Sequence, residues 1–181
     1  TRQPLRGISF IDEHTGWAVG NNAVLRTTDG GTTWTSFSAG NTLIYGNDLS
    51  CRDADHCLIV GQKGQIVEVS VDSLGKATFT FQPSGTNVAL NAIYCTNAQT
   101  CWAVGNKVTL KTKAGKTTST ASLGVIIKTI DGGLSWTSLA DRSSNLVPSA
   151  TKFTSLREVV TTDFNDVFFA NAQQGWVVGD A

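Results

Sequence analysis

Gly16-Trp17-Ala18-Val19-Gly20, then Ala23-Val24-Leu25-Arg26, then Thr27-Thr28-Asp29-Gly30-Gly31-Thr32-Thr33-Trp34 form the stretch from which the remaining residues are best interpreted. Its first five residues return as Cys57-Leu58-Ile59-Val60-Gly61, Cys101-Trp102-Ala103-Val104-Gly105 and Gly175-Trp176-Val177-Val178-Gly179. The closing glycines lie 41, 44 and 74 residues apart, the last gap carrying insertions. A period of about 40–45 residues is that of one four-stranded propeller blade. The apolar runs are short and bounded by turn residues, as at Ile8-Ser9-Phe10-Ile11 and Gly124-Val125-Ile126-Ile127. No stretch carries apolar residues at helical spacing, so the chain is expected to be all-β.

The second part of the quoted stretch also repeats. Thr27 to Trp34 returns as Thr129-Ile130-Asp131-Gly132-Gly133-Leu134-Ser135-Trp136, and a worn copy runs from Ser70 to Phe79 around Asp72 and Gly75. An Asp opening a turn accepts hydrogen bonds from backbone amides two residues on, and Gly-Gly supplies positive φ. The Trp that follows is expected to cover the turn. Thr27, Asp29, Gly31 and Trp34, with Thr129, Asp131, Gly133 and Trp136, are therefore read as architectural residues.

These residues carry a resemblance. The pattern Ser/Thr-x-Asp-x-Gly-x-Thr/Ser-Trp resembles the Asp-box, or bacterial neuraminidase repeat. With the Trp-Ala-Val-Gly strands, the chain is similar to the photosystem II assembly/stability factor-like propellers and their secreted bacterial relatives. The resemblance implies a β-propeller of four-stranded antiparallel blades and, for the plastid branch, a chaperone-like assembly role.

Unit boundaries are expected near residues 1–40, 41–85, 86–150 and 151–181, with an inserted hairpin over 109–123 in the third unit. The fourth unit stops after its second strand, so about three and a half blades are present. The chain is expected to belong to a larger propeller, or to be completed by neighbouring chains that cover its open edges. The absence of Met and of a leader-type N-terminus fits a mature product or an excised piece.

The four cysteines fall in register. Cys51/Cys57 and Cys95/Cys101 each span six positions, and the outer units hold Phe10/Gly16 and Phe169/Gly175 in the same places. Directly opposed positions on neighbouring antiparallel strands accommodate either a disulfide or an aromatic ring over a glycine. Disulfides Cys51–Cys57 and Cys95–Cys101 are predicted, each contributing about 2–2.5 kcal/mol through the unfolded chain. The rival reading is a four-thiolate zinc site, but zinc pairs have two to four intervening residues and these have five. Disulfides imply an extracellular or cell-surface location, or alternatively a periplasm or thylakoid lumen.

Charge excludes some partners. Lys+Arg and Asp+Glu balance at 14 each, against the basic excess of nucleic-acid binders. No apolar run approaches the ~18–20 residues that cross a bilayer, so membrane insertion is not expected. The inserted hairpin, with Lys107, Lys111, Lys113 and Lys116 and no acid, forms a candidate contact finger for an acidic protein or a glycan. The polar stretch 138–152 is a second candidate surface. A sialidase-like site would need clustered arginines, a Tyr nucleophile and an acid/base carboxylate. Arg2, Arg6, Arg26, Arg52, Arg142 and Arg157 do not recur in such a pattern, and Tyr45 and Tyr94 read as core. No catalytic residue, cofactor site or metal site is assigned. The expected function is a non-catalytic extracellular structural or protein/glycan-interaction propeller, as part of a surface assembly or filament. The alternatives are a lumenal assembly-factor-like chaperone and a sialidase-like glycosidase fragment.

Overall fold

The computed structural model describes residues 3–114, 117–139, 163–171 and 174–180. Over 107–114 and 117–123 only the course of the strands is described. Strands β1 (Leu5–Phe10), β2 (Gly16–Gly20), β3 (Ala23–Thr27) and β4 (Thr35–Phe37) form the first sheet, in chain order. β5 (Gly46–Cys51), β6 (His56–Gly61), β7 (Ile66–Val71) and β8 (Ala77–Gln82) form the second. The third contains β9 (Leu90–Cys95), β10 (Cys101–Ala114), β11 (Thr117–Thr129) and β12 (Thr137–Ser138). β13 (Phe164–Asn171) and β14 (Gln174–Gly179) pair as a two-stranded fourth sheet. Every pairing is antiparallel, and each sheet is a meander in which sequence neighbours are spatial neighbours. These are successive blades of a β-propeller.

Apolar side chains pack between the sheets. The β2–β3 face of the first sheet, with Trp17, Val19 and Val24, lies on Leu49, Cys57, Ile59, Val67 and Val69 of the second. Leu58 and Val60 of the second then meet Ile93, Cys101, Ala103 and Val125 of the third. Trp102 and Val104 of the third meet Val167, Phe169 and Val177 of the fourth. Each sheet thus has a forward face, carrying the Trp or Leu and the Val of its second strand, and a rear face that receives its predecessor. Alternation of side chains along each strand separates the two faces by a single residue.

The first strands β1, β5, β9 and β13 pack successively on one another, which makes them the inner strands. A register shift recurs on three of them, at Leu5/Gly7, Gly46/Asp48 and Phe164/Asp166, and opposite Val104/Gly105 on the third sheet. Here the closing glycine of the repeat has its reason. A Cβ on Gly20, Gly61, Gly105 or Gly179 would strike the carbonyl of Pro4, Tyr45, Ala89 or Asp163, respectively. The incoming backbone passes too close for any side chain.

Candidate functional site

The Asp-Gly-Gly turns lie at one end of the sheets, beside the β1–β2, β5–β6 and β9–β10 hairpins. In the first sheet, the Thr27 hydroxyl donates to Asp29 Oδ1 at 2.8 Å and accepts from the Gly31 amide at 2.9 Å. Thr33 donates its amide to Asp29 Oδ1 at 2.8 Å and its hydroxyl to Oδ2 at 2.6 Å. Gly30 and Gly31 carry φ of 69° and 92°, a region that L side chains resist. The third sheet repeats the pattern with Thr129, Asp131, Gly133 and Ser135, at φ of 74° and 99° for Gly132 and Gly133.

The donor to the carboxylate differs from expectation. The amide captured by Asp29 or Asp131 comes from the fourth residue on, because hydroxyls at both ends of the turn hold the carboxylate across it. Only the worn copy uses the amide two residues on: Asp72 accepts from Leu74 and from Lys76, both at 2.9 Å. These donors act on charge. The Thr33 hydroxyl and amide, then the Thr27 hydroxyl, hold Asp29 down to a pKa of about 2. The Ser135 and Thr129 hydroxyls do the same for Asp131, at about 2.

The two tryptophans part ways. Trp34 donates its indole N–H to Gly31 O at 3.1 Å and meets Phe10 edge-on at 6.2 Å, so it covers its own turn. Trp136 instead directs its N–H to Gln82 Oε1 of the neighbouring sheet at 3.4 Å. Gln82 also bonds Glu68, which pairs with Arg52, and Arg52 donates to Gly132 O at 3.0 Å. A chain of polar contacts therefore fastens the third-sheet turn to the second sheet.

Cys51 is joined to Cys57 and Cys95 to Cys101, with Cα atoms 3.9 and 4.0 Å apart. Each is a directly opposed strand pair, as are Phe10/Gly16 and Phe169/Gly175. Amide bonds flank the first three pairs, Ile11 to Thr15, Arg52 to His56 and Thr96 to Thr100. These three pairs are thus the non-hydrogen-bonded kind, in which Cβ atoms approach closely. A Cβ on Gly16 would sit 2.7 Å from the Phe10 ring, and one on Gly175 2.5 Å from the Phe169 ring.

Arg26 lies against Trp17 and bonds Asp55 of the second sheet at 2.6 Å, so Arg26 and Arg52 both serve sheet-to-sheet contacts. Tyr94 packs against the third core, but Tyr45 is 37% exposed, contrary to its core reading. It precedes β5 at the bulge, where its carbonyl faces Gly61 and its side chain is left at the surface. Lys107, Lys111 and Lys113 lie on β10, paired with Gly124, Thr120 and Thr118 of β11. The insertion is therefore continuous with the second and third strands of its sheet and runs from the end opposite the Asp turns. Lys116, nearly all of the 138–152 stretch, and Arg2, Arg142 and Arg157 lie outside the described residues.

Two repeated devices escaped the sequence reading. Asp12, Asp53 and Asn97 each sit two residues after the Phe or Cys of the first strand. Each side chain accepts two backbone amides, at 2.6–2.9 Å, closing the first hairpin of its sheet. At the inner bulge, Asn47 donates to Leu90 O at 2.8 Å and Asn91 to Phe164 O at 2.7 Å, each time crossing to the next sheet. Asp48, half-buried beside them, accepts the Ile93 amide at 2.9 Å, and burial pushes its carboxyl up. The signal was available: an Asp or Asn stands two residues after the Phe or Cys in each unit, and Asn47 and Asn91 recur at one offset as Asn165.

No family model matches the chain, and no curated protein matches it. Among solved structures, it is similar to YCF48 bound to D1 peptide, at 16% identity and a TM-score of 0.23, over 99% of this chain and 91% of that one. It is similar also to YCF48 from Cyanidioschyzon merolae, at 14% identity and a TM-score of 0.21, over 99% and 93% of the two chains. At such TM-scores the likeness carries no argument for the placement of the blades or for function.

Proposed function

We propose that this chain is a non-catalytic interaction propeller of the Asp-box kind, working outside the cell or on its surface. The observation that carries the reading is the state of the Asp-turn carboxylates. Both oxygens of Asp29 and of Asp131 are occupied by donors of their own turn, and both groups are held near pKa 2. A carboxylate so held is a poor general acid or base near neutral pH. Arg26 and Arg52, the cations a sialidase-like site would want free, are spent on Asp55 and Glu68. The joined cysteine pairs favour an oxidising compartment.

The contact element in this reading is the long β10–β11 hairpin, whose strands run on at the end opposite the turns and whose inserted sequence carries lysines without an acid. Its partner is an acidic protein surface or an anionic glycan. The test compares the protein with a variant in which Lys107, Lys111, Lys113 and Lys116 are all replaced by Gln. On immobilised poly-glutamate and on heparin, the unaltered protein is expected to be retained and to elute with salt, the variant to elute earlier. Equal elution would remove the hairpin as the contact element. Turnover of a sialoside reporter would defeat the non-catalytic reading.

A further inference from the structure

The three internal junctions show what each face of a sheet is made to meet. On the forward side, Trp17, Leu58 and Trp102 are 0–1% exposed, and Val19, Val60 and Val104 are fully buried. At the same positions of the fourth sheet, Trp176 is 51% and Val178 58% exposed. On the rear side, Leu49, Ile93 and Val167 are 3–4% exposed, whereas Ile8 of the first sheet, in the same position, is 63% exposed. Phe10, two residues on, is also exposed. Among the described residues, one forward surface, on β14, and one rear surface, on β1, are thus uncovered.

The two match in chemistry. Where the third sheet meets the fourth, Trp102 stacks on Phe169 with ring centroids 5.1 Å apart, and Phe169 in turn lies on Gly175. The first sheet repeats that receiving surface, with Phe10 lying on Gly16 and Ile8 where Val167 stands. The fourth sheet, of which two strands are described, repeats the second-strand part of the donating surface with Trp176 and Val178, and adds Phe168, stacked on Trp176 at 6.3 Å. We propose that a second copy of this chain docks head to tail, its Ile8 and Phe10 covering Trp176 and Val178 of the first. The inference goes beyond the interaction role above and stands without it.

The polar register follows from the same junctions. Trp17 donates its indole N–H to Ala54 O in the hairpin of the next sheet, at 3.0 Å. The repeat-equivalent bond joins Trp176 to the Glu13 carbonyl of the second copy. Asn47 and Asn91 reach Leu90 O and Phe164 O, and the equivalent bond takes Asn165 to the Leu5 carbonyl of that copy. Asn165, which donates to Asp180 at the surface in the single chain, changes partner. A contact between unlike faces is heterologous, and it closes as a ring or continues as a filament according to its rotation.

Sedimentation equilibrium on the 181-residue chain across a wide concentration range tests this, with Trp176→Glu, Val178→Glu and Ile8→Glu as variants. All three residues are exposed in the single chain, so the variants are expected to retain its circular-dichroism spectrum. The unaltered chain is expected to associate, and a glutamate at either face to weaken association at least about thirtyfold. An equimolar mixture of Ile8→Glu and either forward-face variant keeps one intact face of each kind. It is expected to restore a dimer that grows no further. A chain that remains at 19.2 kDa throughout would overturn the proposal and give both faces to some other occupant. So would persistent self-association of Ile8→Glu at unaltered strength, which requires like faces to meet, or a mixture that stays monomeric.

Discussion

Thr33 and Thr27 give Asp29 its low pKa, and Ser135 and Thr129 give Asp131 the same. Both carboxylates are held below the ordinary 3.8, so the folded chain binds fewer protons than the unfolded chain between the two values. Their contribution to stability is complete above pH ~4 and is lost as pH falls towards about 2. Urea unfolding between pH 5 and pH 2 is expected to show an acid-side decline that is shallower in the double variant Asp29→Asn, Asp131→Asn. That variant should also be less stable at neutral pH, because an amide nitrogen cannot accept the Thr33 or Ser135 hydroxyl. An acid limb of unchanged slope would mean that other carboxylates govern it. At this scale Thr27, Asp29 and Gly31 announced a tight turn, but not which donor would hold the carboxylate. That choice depends on where Thr33 and Ser135 lie once the next strand has turned back.

Hairpins are the natural scale for the cysteines. One opposed pair is filled by a disulfide in the middle two sheets and by Phe over Gly in the outer two. The two solutions brace the same pair of strands, one covalently and one by a ring that shields glycine backbone. Cys95→Ala with Cys101→Ala is expected to lose about 2 kcal/mol in denaturant unfolding. Cys95→Phe with Cys101→Gly should recover part of that loss, since the surrounding register already accepts this arrangement at Phe169 and Gly175. Recovery of none would show that the Phe/Gly pair depends on its own neighbours, such as Trp34 beside Phe10. The register was legible in advance because a fixed six-residue spacing with two alternative fillings admits few geometries. The Asx turns at Asp12, Asp53 and Asn97 close these hairpins and were equally regular, but single polar residues in loops are too common to be singled out without the observed bonds.

Across the whole molecule, each sheet touches its neighbours along apolar faces and through a few polar links at the inner strands. In such an array stability is close to a sum of sheet and junction contributions. Asn91→Ala removes the bonds to Asn106 and to Phe164 O at the junction of the third and fourth sheets. Hydrogen exchange is expected to speed up in β13 and β14, by the equivalent of about 0.5–1.5 kcal/mol, and to change little in β1–β4. Uniform acceleration in all four sheets would indicate one fully cooperative unit instead. At the two ends the corresponding positions are exposed, on β1 and on the two described strands of the fourth sheet.

What the sequence determined alone was everything repeated at short range. Strand spacing, turn chemistry and the opposed Cys and Phe/Gly pairs follow from periodicity two and from the backbone angles a tight turn demands. Tertiary structure decided what one sheet does to the next. The glycine closing each repeat exists for a carbonyl passing across the bulge, and Asn47 and Asn91 bond a sheet more than 40 residues away. Trp17, Trp102 and Trp176 share one motif, yet two are buried and one is half exposed. Burial depends on the strands and sheets packed around a residue, which its own five-residue motif does not encode.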